Sequence, residues 1–402
     1  MLEITDKSRF AGLITLKYND RECACEDRLY AAGMNIWRDV FPGDSREKVL
    51  GKKEGDVVAL TVNGVDYPQL VYDPTLVRAV HKNQIDTVGS KGDPLEMCPD
   101  RYYPQKILKG VPGVFSNTMA PCRFVKFNNG MAVFDLNHPL AGRSLLFSLE
   151  IVKIFPEDRK RGGRCEDWLE KAALDGPGMQ CCYDADSALF MSSGWNSRED
   201  DKADENFYRQ PRMVQHLDST ALKIISDEYG KLAHPAADVL DLMGSWDSHM
   251  PPENEINLTV LGMNKLELEA NERAKETVVR DLNVQKSLPW GSCSFDLVVC
   301  TASIEYLTSP ETIVKEIARV LRPGGKVAIS FSNRWFPTKA IALWSKLHDF
   351  EKMGFVRRLL AGGGFEKLSS LSVRGYPRPD DDPHPEIAQA DPVFFVCGTR
   401  KE

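Results

Sequence analysis

The sequence predicts two domains, an N-terminal α+β domain built on an antiparallel sheet and a C-terminal α/β domain of the Rossmann-like type. The chain has 402 residues, which is more than one domain usually holds. Short β-rich runs separated by turns fill the first 155 residues. From 238 to 333, apolar strand-like runs alternate with helical patterns, which indicates a parallel sheet covered by helices.

The composition is that of an ordinary globular protein. With 42% hydrophobic residues and a net charge of −7, the chain is not expected to bind nucleic acid or an anionic membrane surface. No uninterrupted apolar run approaches the roughly 18 residues of a spanning helix. Residues 1–10 are polar and charged and lack the apolar core of a signal peptide, so we expect a cytoplasmic protein.

The ten cysteines are scattered along the chain. The close pairs, Cys23/Cys25 and Cys181/Cys182, lack the Cys-x-x-Cys spacing of a zinc site. We therefore expect reduced thiols and no metal.

The N-terminal elements follow from alternation and turn residues. Strands are predicted at 12–18 and 56–62, with a short helix at 45–50 that ends at Gly51. Asn128-Asn129-Gly130 predicts a hairpin between strands 124–127 and 131–135, because Asn-Gly is a strong hairpin signal. A last strand is predicted at 144–155.

The motif Asn137-His138-Pro139-Leu140-Ala141-Gly142 before that strand resembles FKBP-type peptidyl-prolyl isomerases, most closely their SlyD-like branch. Phe41-Pro42-Gly43 also resembles the family, and 72–120 stands where its members carry an inserted flap. The resemblance implies an apolar cradle that desolvates a prolyl amide or binds a proline-containing or unfolded peptide. The residues it assigns to this cradle are Val40 and the aromatic residues Tyr18, Phe41, Phe134 and Phe147. A binding module without catalysis is the alternative.

Residues 156–205 are predicted to connect the two domains, with a helix at 166–174. A second helix is predicted from Pro211 to about residue 229, since proline suits the first helical position and apolar residues follow on one stripe. The C-terminal domain would then span 206–402.

The C-terminal elements begin with the run Val239-Leu240-Asp241-Leu242 and the turn Met243-Gly244-Ser245. Strands at 258–261, 278–283 and 295–300, a helix at 310–321 and a strand at 326–332 follow, and strands 368–374 and 392–400 close the sheet as a hairpin. This order, together with the phrase from Glu316 to Gly325 (EIARVLRPGG), resembles class I S-adenosylmethionine-dependent methyltransferases of the type 11 kind. The resemblance covers roughly the last half of the chain.

This resemblance implies S-adenosylmethionine as cofactor and assigns residues to it. Asp241 with the turn Gly244-Ser245 would hold the methionine part, Asn264 the ribose, Asp281 the adenine amino group, and Leu282 would pack on the base. Two departures stand out. The turn has a single glycine, and an amide replaces the usual acid at Asn264.

Methyl transfer depends largely on alignment, and a base is needed only if the acceptor must lose a proton. Candidates near the transferred methyl group are His249, Tyr208 and Arg212, followed by His216, Glu305, Tyr306, Asn333 and Arg334, with Trp246, Trp335 and Phe336 as possible pocket walls. The acceptor, a small molecule or a polypeptide, is not specified by any motif.

Three interpretations of the whole chain remain open. The first is a methyltransferase that carries an isomerase or peptide-binding domain. The second is an isomerase or chaperone with an inactive methyltransferase fold. The third is a small-molecule methyltransferase whose N-terminal domain is a lid or a dimerisation element.

Overall fold

The computed structural model describes residues 2–21, 23–88, 95, 97–157, 162–174, 179 and 194–402. Much of the predicted connection, including the pair Cys181/Cys182, lies outside these residues. The strands are β1 Arg9–Asp20, β2 Cys23–Asn35, β3 Val57–Val62, β4 Val77–His81, β5 Tyr102–Pro104, β6 Pro121–Asn128, β7 Met131–Asp135, β8 Leu145–Phe155, β9 Asp238–Leu242, β10 Asn257–Gly262, β11 Glu276–Val279, β12 Phe295–Thr301, β13 Leu321–Phe331, β14 Phe365–Arg374 and β15 Val393–Arg400. The helices are α1 Ser45–Val49, α2 Trp168–Ala173, α3 Asp204–Phe207, α4 Ser219–Gly230, α5 Lys265–Glu269, α6 Pro310–Val320, α7 Ala342–Lys346 and α8 Asp349–Gly362.

The C-terminal part of the sheet has the order β11-β10-β9-β12-β13-β15-β14. The first five strands are parallel, and β15 joins them antiparallel as half of the predicted hairpin with β14. Alternate residues of β9 enter different cores: Leu240 packs with α6 and α8, and Val239 packs with α4. This confirms the Rossmann-like prediction, because a parallel sheet must be covered on both faces.

The chain reverses its direction of winding at β9, whose neighbours are β10 on one side and β12 on the other. Such a reversal leaves a crevice at the carboxyl ends of the strands, where α/β proteins bind their ligands. The loops after β9, β10, β11 and β12 therefore surround the place where a site is expected.

The N-terminal part adds β2, β1, β8 and β3 to the same sheet. These strands are antiparallel to one another, as predicted, but β2 also pairs in parallel with β14, from Leu368 opposite Cys23 to Arg374 opposite Leu29. The result is one eleven-stranded sheet. The sequence analysis predicted neither β2 nor this junction between the two halves.

Buried polar groups cross the junction between β2 and β14. Asp27 is fully buried, and its carboxylate accepts hydrogen bonds from Tyr18 Oη at 3.1 Å and from Ser372 Oγ at 2.6 Å. Burial raises the pKa of Asp27 to about 6, while the nearby charge of Arg374 and these two bonds oppose the rise. Because a buried charge needs partners, these bonds favour one relative placement of the two halves.

A second, four-stranded sheet of order β4-β7-β6-β5 forms an insert that extends beyond the predicted bounds of 72–120, because it also includes β6 and β7. It has its own core, in which Phe124 and Phe134 pack 5.3 Å apart. The insert docks on α8 because the guanidinium of Arg101 donates to both carboxylate oxygens of Glu351, at 2.7 and 2.8 Å. It therefore contacts the C-terminal half as well as the N-terminal sheet.

The segment before β9 differs from the prediction. The helix expected from Pro211 begins only at Ser219, where Asp218 caps α4 by accepting from the amide of Ala221 at 2.8 Å. Residues 211–218 are irregular and run along the crevice.

Among the described residues, no helix has both the length and the apolar character that a membrane span requires.

Candidate functional site

A cleft with a cavity volume of about 170 Å³ lies at the carboxyl ends of the parallel strands. Its lining combines the loops after β9, β10, β11 and β12 with the irregular segment before α4. Of the residues assigned to the cofactor, five line this cleft: Asp241, Gly244, Ser245, Asp281 and Leu282. The structure thus brings together residues that are up to 41 positions apart in sequence, from Asp241 to Leu282.

Asp241 lies near the end of β9 with its carboxyl group buried in the floor of the cleft. Burial raises the pKa of Asp241 to about 7, although a hydrogen bond from Ser248 and the proximity of His249 act in the opposite direction. A buried carboxyl at this position is half-ionised near neutral pH. A cationic ligand group would stabilise its charged form.

The turn after β9 brings backbone unusually close to β10. Met243 has a positive φ of 62°, and a Cβ on Gly244 would collide with the carboxylate of Asp241 and lie 2.7 Å from Cγ1 of Val260. A Cβ on Gly262, at the end of β10, would collide with the carbonyl oxygen of Gly244. The second glycine of the close approach is therefore Gly262, at the end of β10, whereas a second glycine was expected only inside the turn after β9.

Asn264 is placed differently from the other predicted cofactor residues. It caps α5, since its Oδ1 accepts from the amides of Leu266 at 2.9 Å and Glu267 at 3.3 Å. Its Nδ2 donates to the carbonyl of Tyr208 at 2.8 Å, and Asn264 does not line the cleft. A ribose role for Asn264 remains a prediction, but these bonds already occupy its amide group.

Glu267 lines the cleft beside Asn264. Its carboxylate accepts from Ser245 Oγ at 2.6 Å and from the backbone amide of Arg212 at 2.7 Å, which ties the turn after β9 to the segment before α4. The sequence analysis did not select Glu267. The spacing Asn264-x-x-Glu267 is that of a capping box and could have directed attention to it.

Asp281 and Leu282 follow β11, which ends at Val279, whereas the prediction included them in a strand at 278–283. Oδ1 of Asp281 accepts from the amides of Asn283 at 2.8 Å and Val284 at 3.3 Å, which forms a tight turn, and Oδ2 has no hydrogen-bond partner among the described residues. Leu282 is buried beneath it. Asn283 fixes the loop by donating to Asp204 at 2.9 Å and to the carbonyl of Tyr306 at 3.0 Å.

Among the predicted catalytic residues, His249 lines the cleft with a positive φ of 53°. Its Nδ1 lies 3.2 Å from Oδ2 of Asp247, which also accepts from Gln215 at 2.6 Å. The bond to His249 lowers the pKa of Asp247 well below its ordinary value. A histidine held in this way by a carboxylate is oriented for proton transfer.

Tyr208 and Arg212 form another wall with Phe336. The guanidinium carbon of Arg212 lies 5.9 Å from the ring centroid of Tyr208 and 5.6 Å from that of Phe336. Burial raises the pKa of Tyr208, which opposes a role as a base. His216, Tyr306 and Trp246 also line the cleft, whereas Glu305, Asn333, Arg334 and Trp335 do not.

Glu305 is buried behind the cleft, and its Oε2 has no hydrogen-bond partner among the described residues. Burial raises the pKa of Glu305 to about 7, and the charge of Lys352 acts against the rise.

The four aromatic residues assigned to a peptide cradle do not form one. Tyr18, Phe41 and Phe147 are buried in the main core, whereas Phe134 belongs to the separate core of the insert. The separation arises because β7 pairs with β4 and β6, not with the N-terminal sheet. The expectation of a single cradle is therefore not met.

Residues 254–329 match the methyltransferase domain family. A ubiquinone/menaquinone biosynthesis C-methyltransferase of Laribacter hongkongensis is 26% identical over 158 residues, which cover 36% of this chain and 63% of that protein. An O-methyltransferase of Pyrenophora dematioidea is 25% identical over 160 residues, which cover 36% of this chain and 60% of that protein. The chain thus spans less than two thirds of the length of these curated relatives.

A solved S-adenosylmethionine-dependent methyltransferase of Thermotoga maritima is 16% identical, with a TM-score of 0.35, over 45% of this chain and 90% of its own. The assignment of the domain rests on the family match. Residues 254–329 belong to a methyltransferase domain, and S-adenosylmethionine is the cofactor that such a domain implies.

Proposed function

We propose that the protein is an S-adenosylmethionine-dependent methyltransferase whose cofactor binds across the ends of β9, β10 and β11. The observation that carries the proposal is the row of carboxylates Asp241, Glu267 and Asp281 along one cleft, beside the close backbone approach of Gly244 and Gly262. S-adenosylmethionine offers an ammonium group, a ribose diol and an adenine amino group. Each of these needs an acceptor, so the three carboxylates suit the cofactor.

When bound, the cofactor supplies a methyl group on a sulfonium centre. Asp281 would accept from the adenine amino group, and Leu282 would provide an apolar surface for the base. Glu267 would accept from the ribose, in the role that the resemblance assigned to Asn264. Asp241 and the turn Gly244-Ser245 would hold the amino-acid part.

His249 is the proposed general base for an acceptor that must lose a proton, because Asp247 orients its ring at the cleft. Tyr208 and Arg212 cover the cleft from the opposite side and position the acceptor, which is a small molecule or a polypeptide. Alignment of acceptor and sulfonium provides the main part of catalysis.

For residues 1–155 we propose a role as a scaffold for the methyltransferase. The pairing of β2 with β14 and the docking of Arg101 on Glu351 support this role. Proline-peptide binding, which the resemblance to SlyD-like isomerases suggested, would need another surface, because Tyr18, Phe41 and Phe147 are buried.

Calorimetric titration of the full chain with S-adenosylhomocysteine tests the proposal. We expect saturable binding, weakened by about 1–3 kcal/mol in Asp281→Ala because one hydrogen bond to the adenine is lost. Asp380→Ala, which changes an exposed carboxylate outside the cleft, is the control and should bind as the wild type does. Absence of binding by the wild type would refute the proposal and favour an inactive methyltransferase fold.

A further inference from the structure

The guanidinium group of Arg212 lies among three aromatic rings at the cleft. Its central carbon is 4.6 Å from the ring centroid of Phe207, with Tyr208 and Phe336 farther away. Nη2 donates to the carbonyl of Phe207 at 3.0 Å, and the backbone amide donates to Glu267 at 2.7 Å. Packing against the rings and the bond from Nη2 hold the planar fork of the side chain, while the backbone bond to Glu267 fixes the segment that carries it.

The charges around the cleft are unequally paired. Asp204 is bound by Arg198 at 2.8 Å and by Lys339 at 3.1 Å, and Asp247 is bound by His249. Arg212, by contrast, forms no salt bridge with any carboxylate in the described part of the chain, although it lines the cleft. A preorganised guanidinium without a carboxylate partner is suited to bind an oxyanion.

The other cationic groups at the cleft do not duplicate Arg212. Arg280 follows β11 at the adenine end, donates to Ser287 at 3.1 Å and lies near the charge of Glu316. Desolvation and the charge of Arg212 lower the pKa of His216, so this ring is neutral at neutral pH. His216 packs edge-on against Phe336 at 5.3 Å and extends the apolar wall.

The side chain of Arg212 packs on different elements from those that carry the groups expected to hold the cofactor's amino-acid part. Its guanidinium carbon lies 5.6 Å from the ring centroid of Phe336, which follows β13, whereas Asp241 lies in β9 and Ser245 follows that strand. Trp246 and Tyr306 also line the cleft. A planar ring bound beside Phe336 would contact apolar surface, with the guanidinium of Arg212 at its edge.

We propose that the methyl acceptor is a planar, aromatic or unsaturated carboxylate whose carboxylate group binds Arg212. This inference rests on the proposed methyltransferase function and specifies its acceptor. Arg212 contributes two donors in a fork that matches a carboxylate, and Phe336 and His216 provide the adjoining surface for the ring.

The test uses the full chain saturated with S-adenosylhomocysteine. Two probes of nearly the same shape, 4-hydroxybenzoate and 4-hydroxybenzamide, are titrated while the fluorescence of tryptophan is followed, because Trp246 lines the cleft. We expect the acid to bind about tenfold more tightly than the amide, since only the acid gains a charge-assisted pair.

Variants of Arg212 test whether this arginine causes the preference for the acid over the amide. Arg212→Gln should reduce it to less than about twofold, and Arg212→Lys should keep part of it, because lysine retains the charge but loses the fork. Arg209→Gln, an exposed arginine outside the cleft, is the matched control and should keep the full preference. The affinity for S-adenosylhomocysteine should stay unchanged in all three variants, which also reports that they are folded.

Three results would overturn the inference. If the wild type bound the acid and the amide equally well, or bound neither, the proposal that the acceptor is a carboxylate would be refuted. A loss of affinity for S-adenosylhomocysteine of about tenfold or more in Arg212→Gln would assign this arginine to the carboxylate of the cofactor. If the wild type did not bind S-adenosylhomocysteine at all, the proposed function would fail first, and the inference with it.

Discussion

The substitution Asp241→Asn should remove a pH dependence of cofactor binding that originates in one buried carboxyl group. In the free protein the pKa of Asp241 is raised to about 7 by burial. The cofactor brings an ammonium group that stays protonated in this range and favours ionised Asp241. Binding should therefore tighten as the pH rises through 7, and the asparagine variant should lack this dependence.

The magnitude follows from the pKa. A group with a pKa of about 7 is roughly nine-tenths ionised at pH 8 and roughly one-tenth ionised at pH 6. The dissociation constant of S-adenosylhomocysteine should consequently be about tenfold higher at pH 6 than at pH 8, a difference of about 1.4 kcal/mol.

Asp241 also makes the free energy of unfolding depend on pH, in the opposite direction to cofactor binding. Its pKa is 3.8 in the unfolded chain and about 7 in the folded one, so the folded protein holds a proton that the unfolded protein has released. Without cofactor, the free energy of unfolding should fall as the pH rises from about 4 to about 7, by up to about 4 kcal/mol. Asp241→Asn should remove this contribution.

Calorimetry at pH 6, 7 and 8, with urea unfolding at the same pH values, measures both effects. His249→Gln is the control: its binding should still tighten with pH if Asp241 is the titrating group. An affinity of the wild type that is equal at pH 6 and pH 8 would refute the reasoning, since Asp241 would then be ionised throughout or would not face the ligand.

Three further predictions follow from the geometry. Gly244→Ala should weaken S-adenosylhomocysteine binding by about 1–3 kcal/mol in calorimetry, because its Cβ would displace Asp241 and Val260, whereas Gly291→Ala, which meets nothing within 4 Å, should not. Asn264→Ala should lower the free energy of unfolding, measured with urea, by about 1 kcal/mol because the α5 cap is lost. Asn264→Asp keeps a capping oxygen and should unfold with the same free energy as the wild type. Equal free energies of unfolding for the wild type and Asn264→Ala would show that the cap does not stabilise the fold. Ser372→Ala should lower the free energy of unfolding by about 1–3 kcal/mol because the buried bond to Asp27 is lost. Ser219→Ala, which removes an exposed hydrogen bond to Asp381, should lower the free energy of unfolding by less. A larger effect of Ser219→Ala would contradict a stabilising role of the buried bond between β2 and β14.

The α/β half was predictable because its strands are short apolar runs and its turns have distinctive residues. The helix at Pro310 is present and ends within one position of the prediction, whereas the strand predicted at 326–332 begins five residues earlier, at Leu321. The helix expected at Pro211 was wrong in its first turns because Asp218 provides a better cap than the residues before Pro211, and tertiary contacts hold the preceding segment at the cleft.

The N-terminal half was less predictable because its pairings are non-local. β2, which includes Cys23 and Glu26, alternates polar and apolar residues too weakly for its length to be recognised, and its partner β14 lies more than 300 residues later. A resemblance in short motifs likewise could not reveal that Phe134 faces a core of its own, because strand pairing decides which face of β7 is buried.

At the candidate site, residues beside recognisable apolar runs were identified, and residues whose role depends on a neighbouring strand were not. Asp241 and Asp281 were found from their positions after apolar runs, whereas Glu267 and Gly262 act through contacts that form only when β9 and β10 are adjacent. Such contacts depend on the register of neighbouring strands, which a single sequence does not specify.

A crystal structure of the protein in complex with S-adenosylhomocysteine would show where the cofactor binds. We expect the ligand across the ends of β9, β10 and β11, with the adenine amino group on Asp281, the ribose hydroxyls on Glu267 and the amino-acid part at Asp241. A ligand bound outside this cleft, or bound in it with the adenine away from Asp281, would refute the proposed cofactor site.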